Sequence, residues 1–215
     1  MWAISKLSSQ ATEALHMLSN DSCMVHILSK IIKLIDAHEW NRARTLWILA
    51  VLKLKPENLI FSLFGLESEF FVDQFLSFQE RIFHCVICNK QSESKNEFYL
   101  KKDVLNDKLV IYDGLEQLCK SCKTLIVGKF KTTPFCIFVQ LLNQIDFIET
   151  LLIDDKTFNL ISFSLRSRQH QEIPHFKSIF YLQKSFYEVD DLYPQKLIKN
   201  LDASPNISYC LYYLV

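Results

Sequence analysis

Four of the seven cysteines stand as two equally spaced pairs, Cys85-Val86-Ile87-Cys88 and Cys119-Lys120-Ser121-Cys122. A Cys-x-x-Cys turn offers two thiolates along one edge of a tetrahedron, and a second pair from elsewhere completes a Zn–S4 shell. Four thiolates leave no open position for water or substrate, so the expectation is one structural zinc ion, with any catalysis located elsewhere. Lys90, Lys120 and Lys123 would offset the charge of that shell. A redox-active pair would be expected once, at a helix start after a strand, and the duplication speaks against it. Buried, unliganded thiols are the remaining alternative.

A second chemistry is offered by Cys23, in Ser19-Asn20-Asp21-Ser22-Cys23-Met24-Val25-His26. Asp21 or Ser22 can cap a helix starting there, and a thiol in the first turn feels the positive end of the helix dipole, which favours the thiolate a nucleophile needs. Far downstream, Pro174-His175-Phe176-Lys177-Ser178-Ile179-Phe180-Tyr181-Leu182 precedes Ser185-Phe186-Tyr187-Glu188-Val189-Asp190-Asp191-Leu192. If the two runs form a hairpin turning at Gln183-Lys184, His175 and Asp190 share one end. Asp190 would then accept the Nδ1–H of His175 and leave Nε2 for a thiolate. Taken singly, a histidine beginning a strand, acidic residues ending one and a lone cysteine are ordinary structure.

The elements that must position these groups change character along the chain. Leu28, Ile31, Ile32 and Ile35 form one helical stripe, and Trp40, Ala43, Trp47, Ala50, Val51 and Leu54 a second, ended by Pro56. A third helical stretch, rich in Phe, is expected from Asn58 to about Glu80. From His84 onward short β-prone runs take over, at 98–100, 108–112, 124–130, 135–142, 158–165, 176–182, 185–189 and 207–215. Asn143 to Lys156 reads as a flexible or inserted connection. Helices first and antiparallel strands later give an α+β architecture.

Bulk composition narrows the function classes. Among 215 residues, 49% are hydrophobic and 22% charged, enough to build a real core. Only three glycines occur, which argues against phosphate-cradling loops that need close backbone approach. The 24 basic and 24 acidic residues cancel, so the basic footprint of a nucleic-acid binder is missing. No apolar run reaches the roughly 18 residues of a membrane span. An odd number of cysteines and a polar N-terminus without a signal core point to an intracellular chain without nucleic-acid or membrane partners. Cys136 and Cys210, inside strand-like runs, read as packed core.

Together, a Cys at a helix start, a paired Cys-x-x-Cys insert and a His-led hairpin ending in Asp-Asp resemble the ubiquitin-specific protease superfamily of papain-like cysteine peptidases. The likeness runs from about residue 20 to 215. It is carried by His175-Phe176, Ile179-Phe180-Tyr181-Leu182, Phe186-Tyr187-Glu188-Val189, Asp190-Asp191, the closing strand Ile207 to Leu214, and Thr133 to Val139, which is similar to the strand after that family's zinc finger. Cys23 to Ser29, with Ile27-Leu28-Ser29, and Asp190-Asp191-Leu192 are most similar to the superfamily's SUMO-isopeptidase branch. The chain departs from the usual nucleophile box at Leu18, where the family has Asn, at Asp21-Ser22, where it has Asn-Thr, and at Met24, where it has an aromatic residue.

The resemblance implies a papain-like fold: a helical lobe (20–83) packed on an antiparallel sheet with a zinc-stapled finger (84–215), residues 1–19 remaining an unassigned extension. It implies Cys23 as nucleophile, His175 as its base and Asp190 as the group orienting the histidine. Ser19 or Asn20 would assist the Cys23 N–H at the oxyanion, and Asp191 would help position the substrate tail. One Zn2+ would be held by Cys85, Cys88, Cys119 and Cys122. The implied activity is release of SUMO from lysine conjugates by a monomeric, nuclear enzyme. Release of ubiquitin is the alternative within the same chemistry, and a catalytically silent zinc-stabilised binding module is the alternative outside it.

Overall fold

The computed structural model describes residues 15, 21–51, 80–95, 98–103, 108–112, 115–142, 148–167, 175–182, 184–190, 193–198 and 207–215. Two compact units divide the chain, Met1–Ser77 and Phe78–Val215. Among the described residues no helix is long and apolar enough to cross a membrane.

In the first unit, α1 (Ser22–Asp36) starts at Asp21, whose extended backbone and side chain cap it, and it buries Val25, Leu28, Ile31 and Ile32. That is the stripe expected from the 3.6-residue period. The helix ends in a Schellman motif without glycine: Glu39 N–H reaches Leu34 O, His38 N–H reaches Ile35 O, and His38 takes the left-handed position at φ 57°. The second stripe forms α2 (Trp40–Leu46), which continues as a π-helical turn over Trp47–Val51. The expected third helix, 58–80, lies almost wholly outside the described residues. Its last residue is not helical: Glu80 opens strand β1 (Glu80–His84), because Arg81 and Phe83 alternate inward with a period of two.

The second unit holds two sheets. The larger runs β12-β11-β10-β9-β13-β7-β3-β4, with β8 paired to β9. Its strands are β3 (Phe98–Asp103), β4 (Lys108–Tyr112), β7 (Cys136–Leu142), β8 (Thr150–Ile153), β9 (Lys156–Ser167), β10 (His175–Leu182), β11 (Ser185–Asp190), β12 (Tyr193–Ile198) and β13 (Ile207–Leu214). All eight β-prone runs expected from the sequence are strands. The sheet is not wholly antiparallel, however: β3 pairs β7 in parallel, Phe98 opposite Val139. The central strands β7 and β13 bury consecutive residues, Cys136 to Val139 and Tyr209 to Tyr212. Strands covered on both faces read as continuous apolar runs rather than alternations. The core between them includes Phe98, Ile137, Phe158, Phe163, Ile179 and Tyr212. Cys210 lies in it, Cys136 is likewise fully buried, and burial pushes both thiols up to about 12.

The span 143–156, expected as a connection, is corrected in its second half. Residues 150–156 form β8 and its turn into β9, with Leu151 and Ile153 buried. Asp154 and Asp155 at φ 51° and 59° make the two-residue turn, a conformation that aspartate tolerates better than most residues.

The smaller sheet runs β2-β1-β6-β5, adding β2 (Gln91–Lys95), β5 (Glu116–Leu118) and β6 (Leu125–Phe130). Its core is slight: Phe83, Ile126, Cys85 and Cys119, with Cys88 and Cys122 against them. Gly128 sits directly opposite Phe83, and a Cβ there would lie 2.5–2.9 Å from the Phe83 ring. Because that ring is fully buried and cannot retreat, Gly128→Ala is expected to destabilise this sheet by about 1–3 kcal/mol through overpacking. Urea denaturation followed at this sheet checks it. Phe83→Leu in the same chain should recover part of the loss.

Candidate functional site

The two cysteine pairs occupy equivalent turns at the end of the smaller sheet. Cys85 follows β1, and its N–H bonds Lys90 O; Cys119 follows β5, and its N–H bonds Thr124 O. The residue after each second cysteine is left-handed, Asn89 at φ 54° and Lys123 at φ 60°. Each turn thereby folds back and aims its amides at sulfur. Lys90 Nζ donates to Ser121 Oγ at 2.8 Å and ties one turn to the other. His84 is engaged within the first turn, its Nε2 lying 2.8 Å from Asn89 Oδ1.

All four Sγ atoms lie within 4.8 Å of one another. The closest approaches are Cys85 to Cys122 at 3.3 Å, Cys88 to Cys119 at 3.4 Å and Cys88 to Cys122 at 3.9 Å. A disulfide needs about 2.05 Å, and all four cysteines are free. Tetrahedral coordination with Zn–S near 2.3 Å separates sulfurs by about 3.8 Å. The sulfur cluster therefore has the size and donor set to hold one metal ion.

The electrostatics fit that use. The Cys88 backbone N–H, helped by the Thr124 hydroxyl, holds the Cys85 thiol down at about 5. The N–H groups of Cys122 and Ser121 lower Cys119. At Cys88 the Lys90 N–H pulls downward, but the neighbouring thiols and burial outweigh it and push the group up to about 12. Two thiols are thus drawn towards the thiolate and one away from it, an uneven balance that a coordinated divalent cation would override. Thr124 escaped the sequence reading, although its hydroxyl lies 3.0 Å from Cys122 Sγ and 3.6 Å from Cys85 Sγ. The signal was available: Thr124 follows the second pair at the same offset as Lys90 follows the first.

One buried charge joins this sheet to the larger one. Arg81, fully buried, donates from Nη2 to Gly128 O and, at 3.0 Å, to Asp154 Oδ1. Its guanidinium lies 4.7 Å from the Phe130 ring centre and 5.8 Å from that of Phe98. The other Asp154 oxygen accepts from Phe130 N–H at 2.8 Å. The β8–β9 turn therefore grips β1 and β6, one flanking strand of each cysteine turn.

The candidate catalytic residues fall on both units. Cys23 is exposed in the first turn of α1, in the first unit. Its backbone N–H, expected at the oxyanion, donates to Asp21 Oδ1 at 2.8 Å. Ser19, Asn20 and Asp191 lie outside the described residues. In the second unit, β10 and β11 form the expected hairpin, from Ser178 opposite Val189 to Leu182 opposite Ser185, with Lys184 left-handed in the turn at φ 60°. This register brings the His175 end of β10 beside the Asp190 end of β11. A bulge between Glu188 and Asp190 against β12 interrupts the ladder there, and bulges recur where a strand re-aims a side chain.

No protein-family model matches the sequence, and no curated protein matches it. Solved structures do match. One is the SAGA Ubp8/Sgf11/Sus1/Sgf73 DUB module, at 12% identity and TM-score 0.44, covering 66% of this chain and 38% of that one. Another is the SAGA DUB module bound to monoubiquitin, at 14% identity and TM-score 0.41, covering 83% and 48%. A third is the module bound to ubiquitin aldehyde, at 13% identity and TM-score 0.40, covering 83% and 49%. The chain spans less than half the length of each of these chains. Likeness at this level fixes no chemistry.

Proposed function

We propose that the chain is a cysteine isopeptidase for a ubiquitin-like modifier, with Cys23 as nucleophile, His175 as acid and base, and Asp190 orienting the histidine. What supports the reading is the β10–β11 hairpin, whose register sets the His175 and Asp190 ends side by side next to a bulge. The exposed first-turn setting of Cys23 adds to it. Cys23 Sγ would bond to the isopeptide carbonyl carbon, giving an oxyanion, and the C–N bond would break as His175 delivers a proton to the leaving lysine amine. A water deprotonated by His175 would then cleave the thioester, releasing the modifier's C-terminal carboxylate and restoring the thiol. SUMO is the modifier the sequence resemblance favours, and ubiquitin is the second candidate. Zinc at Cys85, Cys88, Cys119 and Cys122 would be structural. The domain would span 20–215, act as a monomer and work in the nucleus.

One observation favours a silent binding module instead: the carboxylate on the Cys23 N–H. The deciding experiment labels the whole chain with propargyl-terminated SUMO and ubiquitin. The expected result is a SUMO adduct absent from Cys23→Ala. A ubiquitin adduct would keep the mechanism and change the substrate. Folded, metal-loaded protein that takes neither probe would leave the binding module as the reading.

A further inference from the structure

We propose that Asp21 is a built-in restraint on this nucleophile, its carboxylate occupying the hydrogen-bond donor that the reaction requires; the inference rests on the reading of Cys23 as the attacking group. In acyl transfer the negative charge develops on the carbonyl oxygen, and backbone N–H groups close to the nucleophile, its own included, stabilise it. The Cys23 N–H carries a single hydrogen, and Asp21 Oδ1 holds it at 2.8 Å. Asp21 lies at the N-cap with φ −83° and ψ 106°, and Val25 N–H bonds its carbonyl at 3.0 Å. The contact is therefore anchored by the first bond of the helix and is not a chance approach of a loose side chain. No acidic residue stands in the first turn, so Asp21 is the carboxylate that the cap itself introduces beside Cys23.

Two effects follow, and both oppose the reaction. The donor is filled before the substrate arrives, so an oxyanion must displace a carboxylate to use it. The displaced carboxylate then stays within a residue of a second negative charge, which it repels. Asp21 and Cys23 are both exposed, so a tightly bound substrate or a partner's cation can draw the carboxylate away. The same bond that begins α1 would thus hold the isopeptidase in a slow state. Removing one oxyanion donor typically costs about 100- to 1,000-fold in kcat, which sets the upper range of activity to be recovered.

Asp21→Gly removes the acceptor at a position where glycine caps almost as well. Asp21→Asn keeps an acceptor oxygen and removes only the charge. With coumarin amides of SUMO and of ubiquitin as substrates for the whole chain, Asp21→Gly is expected to raise kcat at least 10-fold with KM nearly unchanged. Asp21→Asn should give a smaller rise. A merely structural cap would lower stability in the melting curve without raising kcat. If both variants are folded and turn over no faster than the parent chain, the inference is overturned, including the case in which nothing turns over. The reading of Cys23 as nucleophile is decided separately, by whether propargyl labelling of the parent disappears in Cys23→Ala.

Discussion

Stripping the metal from the four cysteines, or replacing Cys119 by Ser, is expected to unfold the smaller sheet and leave the larger one standing. Among the described residues, the smaller sheet's core contains two ordinary apolar side chains, Phe83 and Ile126, and otherwise cysteine. A core of that kind cannot offset the conformational entropy of four strands, roughly 1–2 kcal/mol per residue for the backbone alone. Binding of a structural zinc contributes about 10–16 kcal/mol at neutral pH, which in such a module is folding free energy. The larger sheet has its own core of a dozen buried side chains and does not depend on the ion. Hydrogen exchange with and without a strong chelator would read the difference. Loss of protection is expected across β1, β2, β5 and β6, with β7, β9 and β13 unchanged. Uniform protection after complete metal removal would show that the sheet holds itself together. Acid should act in the same direction. Ligands must be deprotonated to bind, and Cys85 has its pKa lowered to about 5. Its contribution is complete above the ordinary thiol value of 9.0 and is lost progressively as pH falls to about 5. Metal release is therefore expected on acidification towards about pH 5 and not on raising the pH.

The second large effect is expected at Asp154→Asn. Among the described residues, buried Arg81 has Asp154 as its single carboxylate partner, and its Nε and Nη1 have no hydrogen-bond partner. The guanidinium carbon lies near the Phe130 and Phe98 ring centres, which supply only a partial substitute. Removing the negative charge leaves a buried, uncompensated guanidinium, a change that costs about 3–5 kcal/mol. Asparagine tolerates the left-handed backbone of the turn, at φ 51°, so the loss would report the charge and not strain. The sign test is the double variant. Arg81→Met in the Asp154→Asn background removes the orphaned cation and should restore part of the stability, because an apolar side chain of similar volume suits that pocket. Urea midpoints of the single and double variants measure it. A double variant weaker than Asp154→Asn alone would mean that Arg81 stabilises by packing rather than through its ion pair. Because Asp154 also holds Phe130 N–H, its loss should loosen β6 and raise the rate of metal exchange at the cysteines.

Much of the candidate metal centre was legible because its rules are local. A Cys-x-x-Cys turn followed by a left-handed residue is closed by bonds spanning four or five positions, Lys123 N–H to Cys119 O and Cys85 N–H to Lys90 O. Nothing distant is needed to form it. The Asp21 cap and the stripe of Val25, Leu28, Ile31 and Ile32 are likewise written in single turns. The strands missed by the sequence reading, β1, β2, β5, β8 and β12, are short or polar. Gln91 to Lys95 holds no apolar residue, so its pairing with β1 is imposed by the neighbour's open edge and not by its own composition.

What the sequence determined by itself was therefore the set of parts: two Cys-x-x-Cys turns able to share a metal ion, a capped amphipathic helix with Cys23 in its first turn, and a hairpin running from His175 to Asp190. Each follows from residue-level preferences acting within a few positions. Tertiary structure alone decided how the parts meet. It brought Cys85 to Cys122 across 37 residues and Cys88 to Cys119 across 31, laid β3 parallel to β7, and joined Arg81 to Asp154 across 73. Those contacts depend on which strand edges remain open and which charge finds its partner once water has been excluded. Periodicity cannot encode them, because many registers satisfy the same alternation, and the one adopted must also bring the buried Arg81 to Asp154.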